Sequence, residues 1–562
     1  MTGFVAALLA ACVIPLQAQR VILVSFDGLG AQTLFEDPAA ELSELKESVR
    51  RGASSPGVQT AFPSTTANSH AAIWTGCYGD INYITANNPP ALPRAGHTFA
   101  ERVNGFRAEQ LNAEAIWVTA AKAGVRAVAH QPTQGYPFTR FNAAPSAVVM
   151  NGYQTKLVAP HALWTPANGR RQGDGSYLFQ HGPATFRVRR IQGGVEVAEQ
   201  AGGAAVRVPA LPAENEPPRE RPLARRFSEG LFVAAPAPAV LYFRLFTQSE
   251  GDFRLYVTAW QELACSEPVG AIFQQAGGFL GNGPSALLTS GKLTEEEYLE
   301  AVELVTRQMV RHAEWLDRKF QPRLLQSYLP FPDEFDHEWL PASREGSARH
   351  QAWRRWGFMA INRAAAEYRR LAGKEDYLLW VSDHGMAAVD HAVAVGRILK
   401  DAGLEGKANY LYNSILVNTA EWRGGTVSGE ERRQVLEQAR SALAAVPAFT
   451  RFYAPEDSGS RFGIGGPAGG DLYFDLAPGY AASSRGDGEV IVSTKARGVH
   501  GFSPERADMK SICIVEGPQI AAGTQLNGMR AIDIAPLVAQ LLGIEPPPTA
   551  QGRAPLGVRS RR

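Results

Sequence analysis

Two continuous apolar runs, each ending in aspartate, constrain the fold most strongly. Residues 20–28 read RVILVSFDG, and residues 377–385 read YLLWVSDHG. A β-branched run without polar alternation is typical of a strand that is buried on both faces. A fainter run of the same kind, SICIVEG, occupies residues 511–517. Asp27 and Asp383 therefore stand where buried strands open into loops, at the sheet edge where α/β proteins bind ligands.

Helical periodicity fills much of the sequence between these runs, as at residues 42–51, 113–123, 294–320 and 347–372. Buried strands that alternate with helices predict an α/β fold with a mainly parallel sheet. Two segments break this alternation. Residues 163–278 are rich in Gly, Pro and short β-type runs, which predicts an inserted β-rich lobe. Residues 411–484 read strand, helix, strand and predict a small α+β cap, which leaves residues 19–162, 279–410 and 485–562 for the core.

The charge of the chain is nearly balanced. Its 562 residues include 56 basic and 55 acidic side chains, a formal net charge of +1. Arg and Lys are spread evenly, so the sequence indicates no basic groove for nucleic acid. An anionic substrate must therefore be attracted by local charge. The sequence does not indicate an oligomeric state.

The N-terminal segment MTGFVAALLAACVIPLQAQ is apolar from residue 4 to residue 16. It is too short to span a bilayer as a helix, and it predicts a signal peptide, residues 1–18, cleaved near Ala18. A buried first strand or helix is the alternative, because no Lys or Arg precedes the apolar run. The tetrapeptide ending at Cys12 also resembles a lipoprotein cleavage box, which would place a lipid anchor there. We expect an exported protein, periplasmic or extracellular, without a disulfide framework among Cys77, Cys265 and Cys513.

Residues able to bind a metal ion stand at the predicted strand ends and in loops. Asp333 and His337, in PFPDEFDH, share an i, i+4 spacing that places both on one face if the segment is helical. His500 lies in KARGVHGF, a loop flanked by Gly. Oxygen and nitrogen ligands without thiolates suit a site for two zinc ions with open coordination positions. The complete set is Asp27, Asp333, His337, Asp383, His384 and His500.

A hydroxyl-rich loop precedes an apolar run in FPSTTANSHAAIWTG, residues 62–76. The chain presents, in order, Asp-Gly after the first strand, this loop, Pro-Asp-x-x-x-His, Ser-Asp-His-Gly-Met and Gly-x-His-Gly-Phe. This series resembles the alkaline phosphatase superfamily, and more closely the type I phosphodiesterase/nucleotide pyrophosphatase family. The resemblance covers residues 20 to about 543 apart from the insertion, and it implies a three-layer α/β sandwich.

The resemblance also implies roles for individual residues. Thr66 corresponds to the family's nucleophile, and Asn87 to an Asn that holds a phosphoryl oxygen, with Asn88 as an alternative. A small phosphodiester or pyrophosphate would be hydrolysed in two in-line steps through phospho-Thr66. Two zinc ions would be bound, one by Asp333, His337 and His500, the other by Asp27, Asp383, His384 and the Thr66 oxygen.

The sequence departs from the family motif next to the nucleophile. Ala67 replaces an aromatic residue that resembles one wall of the base pocket in nucleotide-cleaving members. Ala67 therefore argues against a nucleotide as the preferred substrate, unless another aromatic residue, Trp74, Tyr78 or Tyr83, substitutes. His70 is kept, and we expect a structural role for it because neither zinc ion needs it.

Other functions share parts of this pattern. A phosphomonoesterase, or a phosphonate hydrolase resembling phosphonoacetate hydrolase, would use the same Thr and the same zinc ligands. A catalytically inactive binding module would have lost ligands, whereas every expected ligand is present. A sulfatase would require Cys or Ser in a Cys/Ser-x-Pro-x-Arg context, which residues 66–70 do not offer.

Overall fold

A mixed nine-stranded sheet forms the centre of the protein. The computed structural model describes residues 19–211, 226–232, 239–249, 251–268 and 272–555, so the predicted signal peptide and Cys12 lie outside the described residues. The order of strands across the sheet is Ala264–Cys265, Ala147–Asn151, Ala127–His130, Leu324–Leu329, Val21–Phe26, Tyr377–Ser382, Cys513–Glu516, Ala53–Ser54 and Thr524–Gln525.

The five strands from Ala147–Asn151 to Tyr377–Ser382 in this order are parallel to their neighbours. This confirms the α/β class and the mainly parallel centre of the sheet. The Cys513–Glu516 strand, in contrast, runs antiparallel to Tyr377–Ser382. Burial on both faces produces the same apolar pattern in either direction, so the sequence could not distinguish the two.

Helices cover the sheet on both faces. Alternate residues of the Val21–Phe26 strand enter two different apolar cores, with Ile22 and Val24 in one and Val21 and Leu23 in the other. This arrangement is the predicted sandwich. The α-helices of the described chain are Ala31–Glu36, Ser43–Arg51, Thr66–Thr75, Gly79–Asn82, Ile116–Lys122, Ile272–Ala276, Ser285–Thr289, Glu295–Phe320, Asp333–Arg344, Ala348–Leu371, Val395–Asp401, Gly429–Ala444, Pro455–Phe462 and Ile534–Leu542. None of the helices within the described ranges is both long enough and apolar enough to span a membrane.

Smaller sheets account for the two segments that break the alternation. Within the predicted insertion, one sheet contains Val206–Pro209, Gly194–Glu199, Ala184–Ile191, Tyr177–His181 and Arg170–Arg171, and another contains Ser228–Phe232, Ala239–Ser249, Asp252–Val257 and Ala162–Trp164. A two-stranded sheet pairs Trp260–Gln261 with Leu157–Ala159. The predicted cap contributes Ser414–Val417, Leu472–Leu476 and Phe449–Tyr453 to one sheet, whose fourth strand, Ala408–Tyr410, lies just before the predicted boundary. It contributes Gly479–Ser483 to a three-stranded sheet whose other strands, Ala387–Ala394 and Ile491–Val499, come from the segments predicted to belong to the core. The domain boundaries themselves stay predictions.

A buried arginine fixes the helix that begins at Asp333. The Arg354 guanidinium donates to both oxygens of Asp336 at 2.6 and 3.0 Å and to Asp37 at 2.6 Å. Arg354 and Asp336 are fully buried. This ion-pair network joins the Ala348–Leu371 helix to the Asp333–Arg344 helix three residues from Asp333, and it thereby holds the Asp333 end of that helix in place.

We expect the Arg354→Met variant to lose about 3–5 kcal/mol of unfolding free energy, because the Asp336 carboxylate would remain buried without its cation. The neighbouring Arg355 pairs with Glu41 at the surface, and Arg355→Met should cost less than about 1 kcal/mol. Urea unfolding of both variants tests this difference. Equal losses in the two variants would contradict the assigned role of Arg354.

Candidate catalytic and metal site

Three aspartates meet at the carboxyl ends of adjacent parallel strands. Asp27 directly follows the Val21–Phe26 strand, and Asp383 directly follows Tyr377–Ser382. Asp333 lies a short loop beyond Leu324–Leu329, and its backbone N–H donates to the Asp27 carbonyl at 3.1 Å. The sheet topology alone therefore brings three carboxylates together, as the position of each after a strand predicted.

Thr66 is the first residue of the Thr66–Thr75 helix and lies against His384. Its Oγ1 is 3.1 Å from His384 Nε2. The same Nε2 is 3.1 Å from an Asp383 oxygen and 3.5 Å from an Asp27 oxygen. The structure thus brings Thr66, Asp27, Asp383 and His384 into one cluster, with the hydroxyl at the positive end of a helix.

A second cluster surrounds Asp333. The Asp333–Arg344 segment is helical, and His337 Nε2 lies 3.2 Å from Asp333 Oδ2. His500 Nε2 lies 3.7 Å from Asp333 Oδ1, and the His500 ring stacks on His384 with 3.7 Å between ring centroids. The two clusters are therefore contiguous, and His500 connects them.

The three clustered histidines are oriented in the same way. Each places Nδ1 within hydrogen-bond distance of a backbone carbonyl: His337 at 2.7 Å from Gly498, His384 at 3.0 Å from Gly385 and His500 at 3.0 Å from Ser64. Because a carbonyl only accepts, Nδ1 is the protonated nitrogen, and in the neutral ring Nε2 carries the lone pair. All three Nε2 atoms face the carboxylates, which is how metal-binding histidines are held.

The carboxylates also present oxygens that the protein does not satisfy. Among the described residues, Asp27 Oδ1, Asp333 Oδ1 and Asp383 Oδ2 are buried without a hydrogen-bond partner. An unpaired buried acceptor is costly, and three of them beside three imidazole lone pairs call for positive charge. The donor set of oxygen and nitrogen atoms therefore fits divalent metal ions.

The pKa values of these groups show the same excess of negative charge. Burial, together with Asp383 and Asp333, raises the pKa of Asp27 well above its usual range. Burial and Asp333 raise the pKa of Asp383 to about 8. Although burial acts in the opposite direction, the pKa of Asp333 is lowered by His337, and Asp333 raises the pKa of His337 to about 9. Without a metal ion, protons must compensate the carboxylates.

Among the residues that the structure describes, two sets of side chains have ligand atoms close enough together to share one ion. The first is Asp333, His337 and His500, and the second is Asp27, Asp333 and His384, each with all ligand atoms within 4.8 Å. The first set is the one that the resemblance implies. The second contains Asp333, whereas the resemblance assigned Asp383 to that ion, so Asp333 lies between the two positions. Asp383 remains adjacent to both His384 and Asp27.

Asn87 and Asn88 have different environments. The Asn87 amide oxygen accepts a hydrogen bond from the Ala67 backbone N–H at 2.9 Å, which leaves the Asn87 NH₂ group as a donor beside Thr66. The Asn88 amide oxygen accepts from the Tyr412 hydroxyl at the surface. Of the two, Asn87 is the one in direct contact with the Thr66 segment.

His70 and Tyr328 contact two of the clustered aspartates, His70 at Asp383 and Tyr328 at Asp27. His70 is fully buried, with Nε2 at 2.8 Å from the Ser25 hydroxyl and Nδ1 at 3.1 Å from the Thr66 carbonyl and 3.3 Å from Asp383. Tyr328 donates its hydroxyl to Asp27 at 2.6 Å. The sequence does not predict the Tyr328 contact, because a tyrosine in a buried strand carries no sequence signal for such a role.

Two of the aromatic residues proposed to replace the missing ring at Ala67 are not available. Trp74 and Tyr78 are 1% and 2% exposed and belong to the apolar core. Trp74 lies near the end of the Thr66–Thr75 helix, and Tyr78 lies beyond it, directly before the Gly79–Asn82 helix. That part of the sequence interpretation is wrong, and of the three only Tyr83 is partly exposed.

We expect the metal-free protein to lose about 3 kcal/mol of unfolding free energy between pH 7 and 8.5. The folded-state pKa values of Asp383, about 8, and His337, about 9, lie above the ordinary values for these residues. The stabilisation by their bound protons is therefore present at low pH and is lost as the pH rises through the folded-state values. Thermal unfolding of chelator-treated protein across this range measures the loss.

Zinc-loaded protein is the control for this pH dependence. A bound cation keeps the carboxylates ionised, so the loss of stability over the same interval should disappear. Stability of the metal-free protein that is constant or increases from pH 7 to 8.5 would contradict the clustering of these charges.

The comparisons with known proteins agree with this geometry. A family model described as type I phosphodiesterase / nucleotide pyrophosphatase matches residues 21–181 and 271–503, more than half of the chain. A search of the curated proteins found no match. Among solved structures, human ectonucleotide pyrophosphatase / phosphodiesterase 5 is similar with 15% identity over 94% of this chain and 95% of that chain, and a TM-score of 0.50. An inactive form of the murine protein in complex with AMP is similar with 14% identity over 96% and 97% of the two chains, and a TM-score of 0.52. At these identities the likeness concerns the fold.

Proposed function

Because the chain belongs to the type I phosphodiesterase/nucleotide pyrophosphatase family, we propose that it is a zinc-dependent phosphodiesterase or pyrophosphatase that acts through a phospho-threonine intermediate. The observation that carries this proposal is the set of three imidazole Nε2 atoms facing three unpaired carboxylate oxygens beside the Thr66 hydroxyl. A structural role for this cluster would leave a buried oxygen of each of the three carboxylates without a partner.

Two metal ions are proposed at this site. Zinc is proposed because the donors are carboxylates and imidazoles without thiolates. When bound, the two dications would supply positive charge, which stabilises the deprotonated form of the Thr66 hydroxyl and the negative charge that develops on the leaving oxygen. One ion would be held by Asp333, His337 and His500, and the other by Asp27, Asp383, His384 and Thr66, with Asp333 near both.

The protein contributes position and orientation to the reaction. Thr66 Oγ1 would bond to phosphorus as the bond to the leaving oxygen breaks, and water would then hydrolyse phospho-Thr66 by a second in-line attack. The helix that begins at Thr66 favours negative charge on the phosphoryl group. His70, which contacts the Thr66 carbonyl and Asp383, holds the nucleophile and that carboxylate in register.

We expect Asn87→Ala to lower kcat for a phosphodiester by about 10²–10³-fold, because a fixed donor to a non-bridging oxygen acts mainly on the transition state. Ala67 keeps the amide in the required orientation by donating to its oxygen. Steady-state kinetics test this expectation, with Asn88→Ala as the control, which should change kcat less than about threefold. A larger loss in the Asn88 variant than in the Asn87 variant would reverse the assignment.

The substrate class is proposed to be small phosphodiesters or pyrophosphates. The AMP complex of the murine protein makes nucleotides candidates, whereas Ala67 offers no aromatic ring to stack on a base. A phosphomonoesterase or a phosphonate hydrolase is the alternative with the same ligands. Turnover of bis-p-nitrophenyl phosphate, p-nitrophenyl phosphate and phosphonoacetate by the zinc-loaded protein separates these functions. Preference for the diester supports the proposal, and preference for the monoester or the phosphonate contradicts it.

Export of the protein stays a prediction from the N-terminal segment.

A further inference from the structure

The tip of a cap hairpin reaches the rim of the candidate site. The antiparallel strands Ala408–Tyr410 and Ser414–Val417 are joined by a tight turn in which Leu411 and Ser414 exchange backbone hydrogen bonds of 2.8 and 3.0 Å. The two central residues of the turn, Tyr412 and Asn413, both have positive φ, 38° and 49°. Hairpin turns of this type favour Asn-Gly, because a bulky side chain is strained in the left-handed region.

Tyrosine at the first central position of this turn therefore requires an explanation other than turn geometry. Strained residues of this kind persist where the surroundings hold them, and they concentrate at functional sites. The Tyr412 side chain is partly exposed, so burial in the core does not account for it. Its hydroxyl donates to the Asn88 amide oxygen at 2.9 Å.

The contacts of the turn flank Thr66 from two sides. Tyr412 is bonded to Asn88, the neighbour of Asn87, which in turn accepts from the backbone of Ala67. Asn413 donates its amide to the Gly501 carbonyl at 3.1 Å, directly after His500, whose Nδ1 donates to Ser64. The turn thus spans the residues on either side of the nucleophile.

The reaction geometry indicates which part of the substrate faces Tyr412. In an in-line attack by Thr66, the leaving oxygen lies opposite the attacking oxygen, and the retained substituent lies to the side with the non-bridging oxygens. Asn87 is assigned to one of those non-bridging oxygens. Tyr412 forms its hydrogen bond with Asn88, the residue next to Asn87, and we therefore place Tyr412 on the side of the retained substituent.

We propose that Tyr412 is a specificity-determining residue whose ring packs against a planar or apolar retained substituent of the phosphodiester. The proposal depends on the proposed function and deepens it by naming the class of substituent that the site prefers. The Tyr412 ring belongs to the cap, whereas the family's aromatic residue directly follows the nucleophile, at the position that Ala67 occupies in this chain.

A pair of substrates with the same leaving group tests this inference. Bis-p-nitrophenyl phosphate retains an aryl group, whereas methyl p-nitrophenyl phosphate retains a methyl group, and both release p-nitrophenolate. In Tyr412→Gly we expect KM for the bis-aryl substrate to rise about tenfold, because the loss of one aromatic contact weakens binding by about that factor. We expect kcat for this substrate to stay nearly unchanged. KM for the methyl substrate should change less than about twofold. Tyr412→Phe, which keeps the ring but loses the hydroxyl bond to Asn88, should keep the ratio of the two KM values close to that of the wild type.

Controls separate this effect from loss of structure and from failure of the proposed function. Glycine is favoured at positive φ, so Tyr412→Gly should not lower Tm. Tyr177→Ala, in the insertion sheet, should leave the KM ratio of the two substrates unchanged. An equal change of KM for both substrates, no change for either, or a lowered Tm in Tyr412→Gly would overturn the role of Tyr412. Full activity of a variant without the Thr66 hydroxyl would instead overturn the proposed function.

Discussion

Replacing Thr66 with valine is expected to lower kcat for bis-p-nitrophenyl phosphate by at least about a thousandfold. Valine keeps the shape of threonine and removes only the hydroxyl, which lies 3.1 Å from His384 Nε2 at the start of a helix. Without that oxygen no phospho-threonine can form. Steady-state turnover of the zinc-loaded variant measures the loss, and Thr66→Ser should retain part of the activity because serine restores an oxygen.

The neighbouring threonine provides the matched control. Thr65 is also buried, and its hydroxyl has no hydrogen-bond partner among the described residues. Thr65→Val should therefore change kcat less than about threefold. If Thr66→Val turned over the diester at the wild-type rate, another group would be the nucleophile and the proposed mechanism would be wrong.

Replacing Asp333 with alanine is expected to remove nearly all turnover together with at least one metal ion per chain. Asp333 belongs to both sets of potential ligands, and it lies 3.2 Å from His337 and 3.7 Å from His500. Without the Asp333 carboxylate, both sets of potential metal ligands lose a member. Because the proposed reaction depends on the bound ions, we expect kcat to fall by about a thousandfold or more. Kinetics and metal analysis of the same preparation measure both effects.

Asp390→Ala is the control for this variant. Asp390 follows the Ser-Asp-His-Gly-Met motif closely but lies exposed at the surface beside His391. Both activity and metal content should stay within about twofold of the wild type. An Asp333→Ala protein that kept two ions and full activity would show that Asp333 is not a ligand.

The sequence was sufficient for those parts of the site that depend on strand ends. Asp27 and Asp383 follow β-branched apolar runs that are typical of buried strands, and the i, i+4 spacing of Asp333 and His337 requires only that their segment be helical. Parallel neighbours then bring the carboxylates to one edge. Long amphipathic helices could also be predicted from the sequence. The periodic pattern at residues 294–320 corresponds to the helix Glu295–Phe320, whose N-terminus is capped by Thr294 in a capping box.

Features that depend on tertiary contacts could not be read from the sequence. The antiparallel direction of Cys513–Glu516 leaves no trace in its apolar composition. The burial of Trp74 and Tyr78 depends on their packing in an apolar core with residues distant in the sequence. The position of Tyr412 depends on the docking of the cap hairpin against Asn88. Such contacts join residues hundreds of positions apart, and no local pattern encodes them.

The most direct test of the central claim is the metal content of the protein purified without chelator. Three carboxylates and three imidazole nitrogens converge beside Thr66 with unpaired oxygens among them, and the account predicts about two zinc ions per chain by elemental analysis, retained in Thr66→Val. A fully active protein that contains no more than trace amounts of any divalent metal would contradict it.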